Sequence, residues 1–156
     1  MNIERPNRKR HAYVQRLHAP PETVFPLLCP VMETKWVPGW MPATVIADSG
    51  VIEPGCIFTT PAKPHDAIWL VSRHDPVAWR LEMYKVAPGH SVTRLEVALA
   101  GEHDGTTSAT IAYEVTAIGP PGERFVEEFT EEWYEDFMLS WEKALNHYLK
   151  TGRKIA

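Results

Sequence analysis

The chain has 156 residues, 44% of them hydrophobic and 23% charged, with a formal net charge of −4. Such a length makes one domain that can enclose a core without disulfides or a structural metal, and the negative balance argues against a general nucleic-acid binder. Only Cys29 and Cys56 are present, without C-x-x-C spacing, so neither a disulfide framework nor a zinc site is signalled and reduced thiols in a cytoplasm are expected.

Residues 1–10 (MNIERPNRKR) are polar and basic, lack an apolar h-region, and are expected to form a flexible segment ahead of a single domain over 11–152 and a short tail at 153–156. No later run approaches the ~20 apolar residues needed to span a bilayer, so neither export nor membrane insertion is expected. From His11 to His18, Tyr13, Gln15 and Leu17 alternate with Ala12, Val14 and Arg16, which predicts a first strand stopped by Ala19-Pro20-Pro21. Glu22–Leu28 predicts an irregular helical turn or two, disturbed by Pro26, and Val31–Lys35 a second short helix.

In Trp36-Val37-Pro38-Gly39-Trp40-Met41-Pro42, two indoles bracket a Pro-Gly turn and are therefore carried on a loop. They either rim a pocket or plug one end of the core. Strands are predicted next over Ala43–Asp48, Cys56–Thr60, Ala67–Arg73, Val77–Val86, Ser91–Ala100 and Thr106–Ile118. Trp79, Leu81 and Met83 share one face, Leu95, Val97 and Leu99 another, and Ala109, Ile111, Tyr113 and Val115 a third. Pro88-Gly89 and Asp104-Gly105 mark tight turns between successive strands, and Gly119-Pro120-Pro121-Gly122 ends the series.

The last segment, Glu123–Lys150, predicts one long helix. At about 100° per residue, Phe129, Trp133, Phe137, Trp141, Leu145 and Tyr148 and their neighbours cover an apolar arc of roughly 200°, about twice the stripe a surface helix needs. A sheet alone cannot hide that much surface. The remainder must line a cavity or meet a second subunit, so a homodimer stays open. Hairpin succession implies an antiparallel sheet with one apolar face, and this helix is the only element long enough to cover it.

The order of elements resembles the START-like, or Bet v 1-like, helix-grip superfamily (SRPBCC), which includes polyketide cyclases/dehydratases and lipid-transfer domains. The resemblance is carried by Ala19-Pro20-Pro21-Glu22-Thr23-Val24-Phe25 after the first strand, Trp36 to Trp40 before the second, Gly50 and Gly55 around the next hairpin, and the aromatic final helix. It implies an α+β fold: a curved antiparallel sheet of about seven strands wrapped on a long C-terminal helix, with one or two short helices after strand 1 and a deep apolar pocket. The pocket-facing candidates are Trp36, Trp40, Phe58, Trp69, Leu81, Met83, Leu95, Val97, Tyr113, Phe129, Trp133 and Phe137. The partner this implies is a lipid-like or polycyclic small molecule. No catalytic signature carries over, and no cofactor or metal is called for.

Three His-Asp pairs, His65-Asp66, His74-Asp75 and His103-Asp104, fall at loops or strand ends, where turn-forming Asp accounts for them. Arg94, Glu96 and Glu114 are predicted to form cross-strand ion pairs on the solvated face. A register slip of one residue would turn all three inward as a polar cluster able to protonate or orient a carbonyl. The alternative function is a cyclase, dehydratase or related lyase using Tyr113 with Arg94, Glu96 or His74. An Hsp90-activator-like interaction module is a third possibility, through the acidic helix face or the basic amino-terminal arm.

Overall fold

The computed structural model describes the whole chain, Met1–Ala156. Its strands are β1 (Arg8–Leu17), β2 (Thr44–Ile46), β3 (Ile57–Thr60), β4 (Ala67–Asp75), β5 (Arg80–Ala87), β6 (Ser91–Gly101) and β7 (Thr107–Ala117). They form a single antiparallel sheet of seven strands in the order β1-β7-β6-β5-β4-β3-β2. No helix is long and apolar enough to cross a membrane.

Strands β2 to β7 follow one another by hairpins, as the turn residues dictate. Gly89 and Gly105 take φ of 70° and 81°, the left-handed geometry that their turns require. Ala87 C=O accepts from His90 N at 3.0 Å, which closes the Pro88-Gly89 turn. β1 departs from the expected boundary by starting at Arg8: the basic run Arg8–Arg10 pairs with Thr116, Val115 and Glu114 of β7. Charged side chains suit this strand because it is a sheet edge. β5 begins only at Arg80, because Asp75 accepts from Val77 N and Ala78 N and holds a turn there, with Trp79 at φ 55°.

β1 and β2 lie at opposite edges, so the chain between them must cross the breadth of the sheet. It does so through α1 (Pro21–Val24), the 3-10 turns Phe25–Leu27 and Met32–Lys35, and the Trp36–Pro42 loop. Pro21 enters α1 in the first turn, where its missing N–H costs nothing, and Pro26 lies where the α geometry gives way to a 3-10 turn.

The expected helix over Glu123–Lys150 is two helices, α2 (Pro120–Glu128) and α3 (Glu131–Thr151). Phe129 leaves helical geometry at ψ 71°, and the Thr130 hydroxyl accepts from Trp133 N at 3.1 Å as the cap of α3. Glu131 and Glu132 follow in its first turn, where the helix dipole favours negative charge. Gly122, expected as a breaker, sits inside α2. A side chain there would meet the backbone of the β5–β6 turn, so its role is close approach.

α3 packs along β1, not across the middle of the sheet. Polar side chains fix it there. Gln15 donates to the Met138 carbonyl at 2.9 Å, and Tyr134 Oη donates to the Ile111 carbonyl at 2.6 Å. Asn146 donates to Arg16 O and accepts from His18 N, each at 2.9 Å. With α3 held at one edge, the inner face of β3 to β6 is left without a helix lying on it. Tyr134→Phe removes one of these bonds at nearly constant volume and is expected to cost about 1 kcal/mol. Urea unfolding checks it: the midpoint should fall at unchanged m, and an unchanged midpoint would remove this bond from the account.

Candidate functional site

The uncovered part of the inner face is the wall of a cavity of about 570 Å³. That volume lies within the range of small-molecule pockets. Strand pairing arranges the wall in rows. Leu81 faces Val97, Met83 and Tyr113 flank Leu95, Lys85 and Val115 flank Thr93, and Ala87 faces Ser91. Phe125, Phe129, Trp133, Phe137 and Trp141 from α2 and α3 form the opposite wall. Phe58 and Trp69 stack with centroids 5.2 Å apart, and Trp40 sets its edge against both. The exposed loop residues Ala62, Lys63 and His65 border the rim.

Of the pocket candidates, Trp40, Phe58, Trp69, Leu81, Met83, Leu95, Val97, Tyr113, Phe129, Trp133 and Phe137 all line this cavity; Trp36 does not. Trp36 is fully buried, donates to Leu27 O at 2.9 Å and stands edge-on to Trp141 at 5.1 Å. The two indoles of the loop thus divide the alternatives: Trp36 plugs the core and Trp40 faces the pocket. Gly39 at φ 72° turns the chain between them. Trp40 Nε1 also donates to a backbone carbonyl, Pro30 O at 2.8 Å, so both rings offer only apolar surface.

Polar groups in the cavity are few. Glu33, in the Met32–Lys35 turn, is only 8% exposed, and its carboxyl makes no hydrogen bond to the protein, its oxygens opening onto the cavity. Burial pushes its pKa up to about 8, so at neutral pH the carboxyl is mostly protonated. The Tyr113 hydroxyl is likewise without a protein partner, and burial raises its pKa, with the nearby Tyr134 and Glu33 acting in the same direction. Lys85 lies over the Trp69 ring, Nζ 5.2 Å from the centroid, and desolvation lowers its pKa. At the β5–β6 end, His90 Nδ1 and Ser91 Oγ are 2.7 Å apart.

The polar cluster that a shifted register would have placed inside is on the outer face. Arg94 donates twice to Glu82, at 3.0 and 2.8 Å, and lies 3.5 Å from Glu96, while Glu114 is 4.0 Å from Arg8. None of Arg94, Glu96 and Glu114 lines the cavity, because the pairing keeps Leu95, Val97 and Tyr113 inward. His74 is absent from the lining too, and stacks on Phe25 with centroids 5.0 Å apart. Of the residues a cyclase was expected to use, only Tyr113 is in place. Asp75 and Asp104 act in turns, Asp104 by accepting from Thr106 N at 3.1 Å.

Among the lining residues not expected as candidates are Lys85, Phe125 and Glu33. Lys85 continues the alternation of Leu81 and Met83, and that period was signal enough to find it. Phe125 was lost by starting the aromatic face at Phe129. Glu33 lies in a 3-10 turn too short to show any periodicity, and no sequence pattern marks it.

No family model matches the sequence, and no curated protein matches it. Solved structures do resemble it. Norcoclaurine synthase from Thalictrum flavum in complex with dopamine and hydroxybenzaldehyde superposes with a TM-score of 0.65 at 12% identity over 92% of this chain and 87% of that one. CalU16 from Micromonospora echinospora gives 0.59 at 17% identity over 94% and 88%. Ara h 8.0201 gives 0.63 at 12% identity over 93% and 99%. At such identities the likeness speaks for the fold alone.

Proposed function

We propose that this chain, which has the Bet v 1-like helix-grip fold, binds a hydrophobic small molecule, polycyclic or lipid-like, between its sheet and its C-terminal helices. The observation that carries this is the cavity: about 570 Å³, bounded by aromatic side chains from both walls. Displacing water from such a surface is worth roughly 25 cal/mol per Å² of apolar area, and the few polar groups would fix orientation. The similar norcoclaurine synthase has been solved with two small aromatic compounds, which supports an aromatic occupant. The cysteines, both buried and unpaired, suit a reducing compartment such as the cytoplasm.

Titration with polycyclic aromatics, sterols and fatty acids is the test. Indole emission should change saturably, because Trp40, Trp69, Trp133 and Trp141 border the cavity. Val97→Phe puts extra volume into the space and denies the ligand roughly 50 Å² of apolar contact, so affinity measured by calorimetry should fall about tenfold. If no compound in the panel shifts the emission or produces binding heat, the proposal fails.

A further inference from the structure

The cavity wall carries a carboxyl and a phenol that the fold itself does not hydrogen-bond, with the Thr93 hydroxyl in the neighbouring row. Glu33 comes from the crossover beneath the Trp40 loop and Tyr113 from the inner face of β7; both line the cavity, and neither has a hydrogen-bond partner in the protein. Gln15, Tyr134 and Trp36, by contrast, are tied to backbone, and the Ser91 hydroxyl is paired with His90. No side-chain oxygen or nitrogen is both sealed off and unpaired, so the free oxygens of Glu33 and Tyr113 open onto the cavity, where a ligand can complete them.

We propose that Glu33 and Tyr113 form a two-donor site for one neutral acceptor oxygen, of the ketone or quinone kind, on a flat aromatic ligand. This deepens the small-molecule function above and rests on it. A protonated carboxyl and a phenol each present one O–H, and a carbonyl oxygen has two lone pairs to receive them. A ligand carboxylate does not fit the same place, since no cation stands there. The titratable groups facing the cavity are Tyr113 from β7, Lys85 from β5, His90 from the β5–β6 turn, and Lys63 and His65 from the β3–β4 loop. Tyr113 feels the charge of Glu33, whereas the lowered pKa of Lys85 comes from desolvation alone. Lys85 belongs to the next inward row of the sheet, about 7 Å along the strand from that of Tyr113, and lies over Trp69. The α2 and α3 wall contributes only aromatic side chains. Donation by Glu33 requires its proton, which is held below about pH 8. Above that pH the group becomes acceptor-only and the site loses one donor.

Calorimetric titration of the full chain with 2-acetylnaphthalene and 2-ethylnaphthalene, at pH 6 and pH 9.5, tests the pairing. The readout is the ratio of the two affinities, which cancels the shared ring. At pH 6 the ratio should drop about tenfold in favour of the ethyl compound on Glu33→Leu, and by a similar factor on Tyr113→Phe. The parent protein should show the same drop between pH 6 and pH 9.5. Glu33→Gln keeps an N–H donor that does not titrate, so its ratio should hold at both pH values, a rescue that a packing role for Glu33 would not produce. A ratio unmoved by either variant and by pH, with both compounds bound, overturns the donor pair and leaves the cavity function standing. Failure of both compounds to bind overturns the cavity function, and this site with it.

Discussion

At pH 9 the Glu33→Gln protein is expected to be more stable than its parent by about 2–4 kcal/mol, whereas at pH 4 the two should unfold at nearly the same urea concentration. The cause is the cost of a charge in the cavity wall. In the unfolded chain Glu33 ionises near 4.5, and in the folded one burial holds the proton to about 8. Because the folded-state pKa is raised, the folded protein binds more protons than the unfolded one between those values. Stability from this group is therefore full below pH 4.5, declines as pH rises, and is lost above about 8. The ceiling on the loss is roughly 5 kcal/mol at about 1.4 kcal/mol per pH unit, and hydration from the cavity brings it down.

Carboxylates with lowered pKa, such as Glu82 beside Ser72 and Arg94, act in the opposite sense at low pH. They are common to both proteins and cancel in the comparison. Urea midpoints at pH 4, 6 and 9 check the expectation. Parallel stability profiles for parent and variant would show that Glu33 is well solvated, and its place in the donor pair would fall too.

Gly122→Ala is expected to lower stability by about 3 kcal/mol or more, read as a drop in thermal midpoint. A Cβ at this position would lie 1.8 Å from the His90 carbonyl oxygen, 2.7 Å from its carbon and 3.3 Å from the Ala117 Cα. Every one of these neighbours is backbone, so no flexible side chain can move aside. The helix propensity gained by alanine, about 1 kcal/mol, opposes the clash and is outweighed by it. α2 must lift off the β5–β6 turn, taking Phe125 with it. Phe125 stands edge-on to Trp133 with centroids 5.8 Å apart, so indole emission should change along with stability. A variant as stable as its parent would mean that α2 does not press on the turn.

The sheet was legible because its strands are long and alternate cleanly. Ser91, Thr93, Leu95, Val97 and Leu99 are buried in strict succession along β6, and the Pro88-Gly89 and Asp104-Gly105 turns fix the register on either side. That register also decided the fate of Arg94 and Glu96, which a one-residue slip would have turned inward. The final helix was legible as helical and apolar but not as two pieces. Thr130 followed by two glutamates is a start signal, yet threonine inside a helix costs only a few tenths of a kcal/mol, so periodicity ran straight through it. The apolar arc of roughly 200° was drawn on a wheel that Phe125 and Trp141 do not share. The hollow beneath has a different origin: side chains on β1, invisible to any wheel, hold α3 to one edge. Glu33 had no pattern to betray it, since its significance comes only from the strand that folds back to face it.

The interruption at Phe129 and Thr130 gives the chamber two independently fastened shutters. α3 is bolted to β1 through Gln15 and Asn146, while α2 is seated on the β5–β6 turn through Gly122. Trimming Phe125 therefore enlarges the room for a bulkier guest at the α2 end while the hydrogen bonds that tie the long helix to β1 stay in place. The range of molecules admitted can be retuned from a nine-residue segment while the scaffold stays as it is.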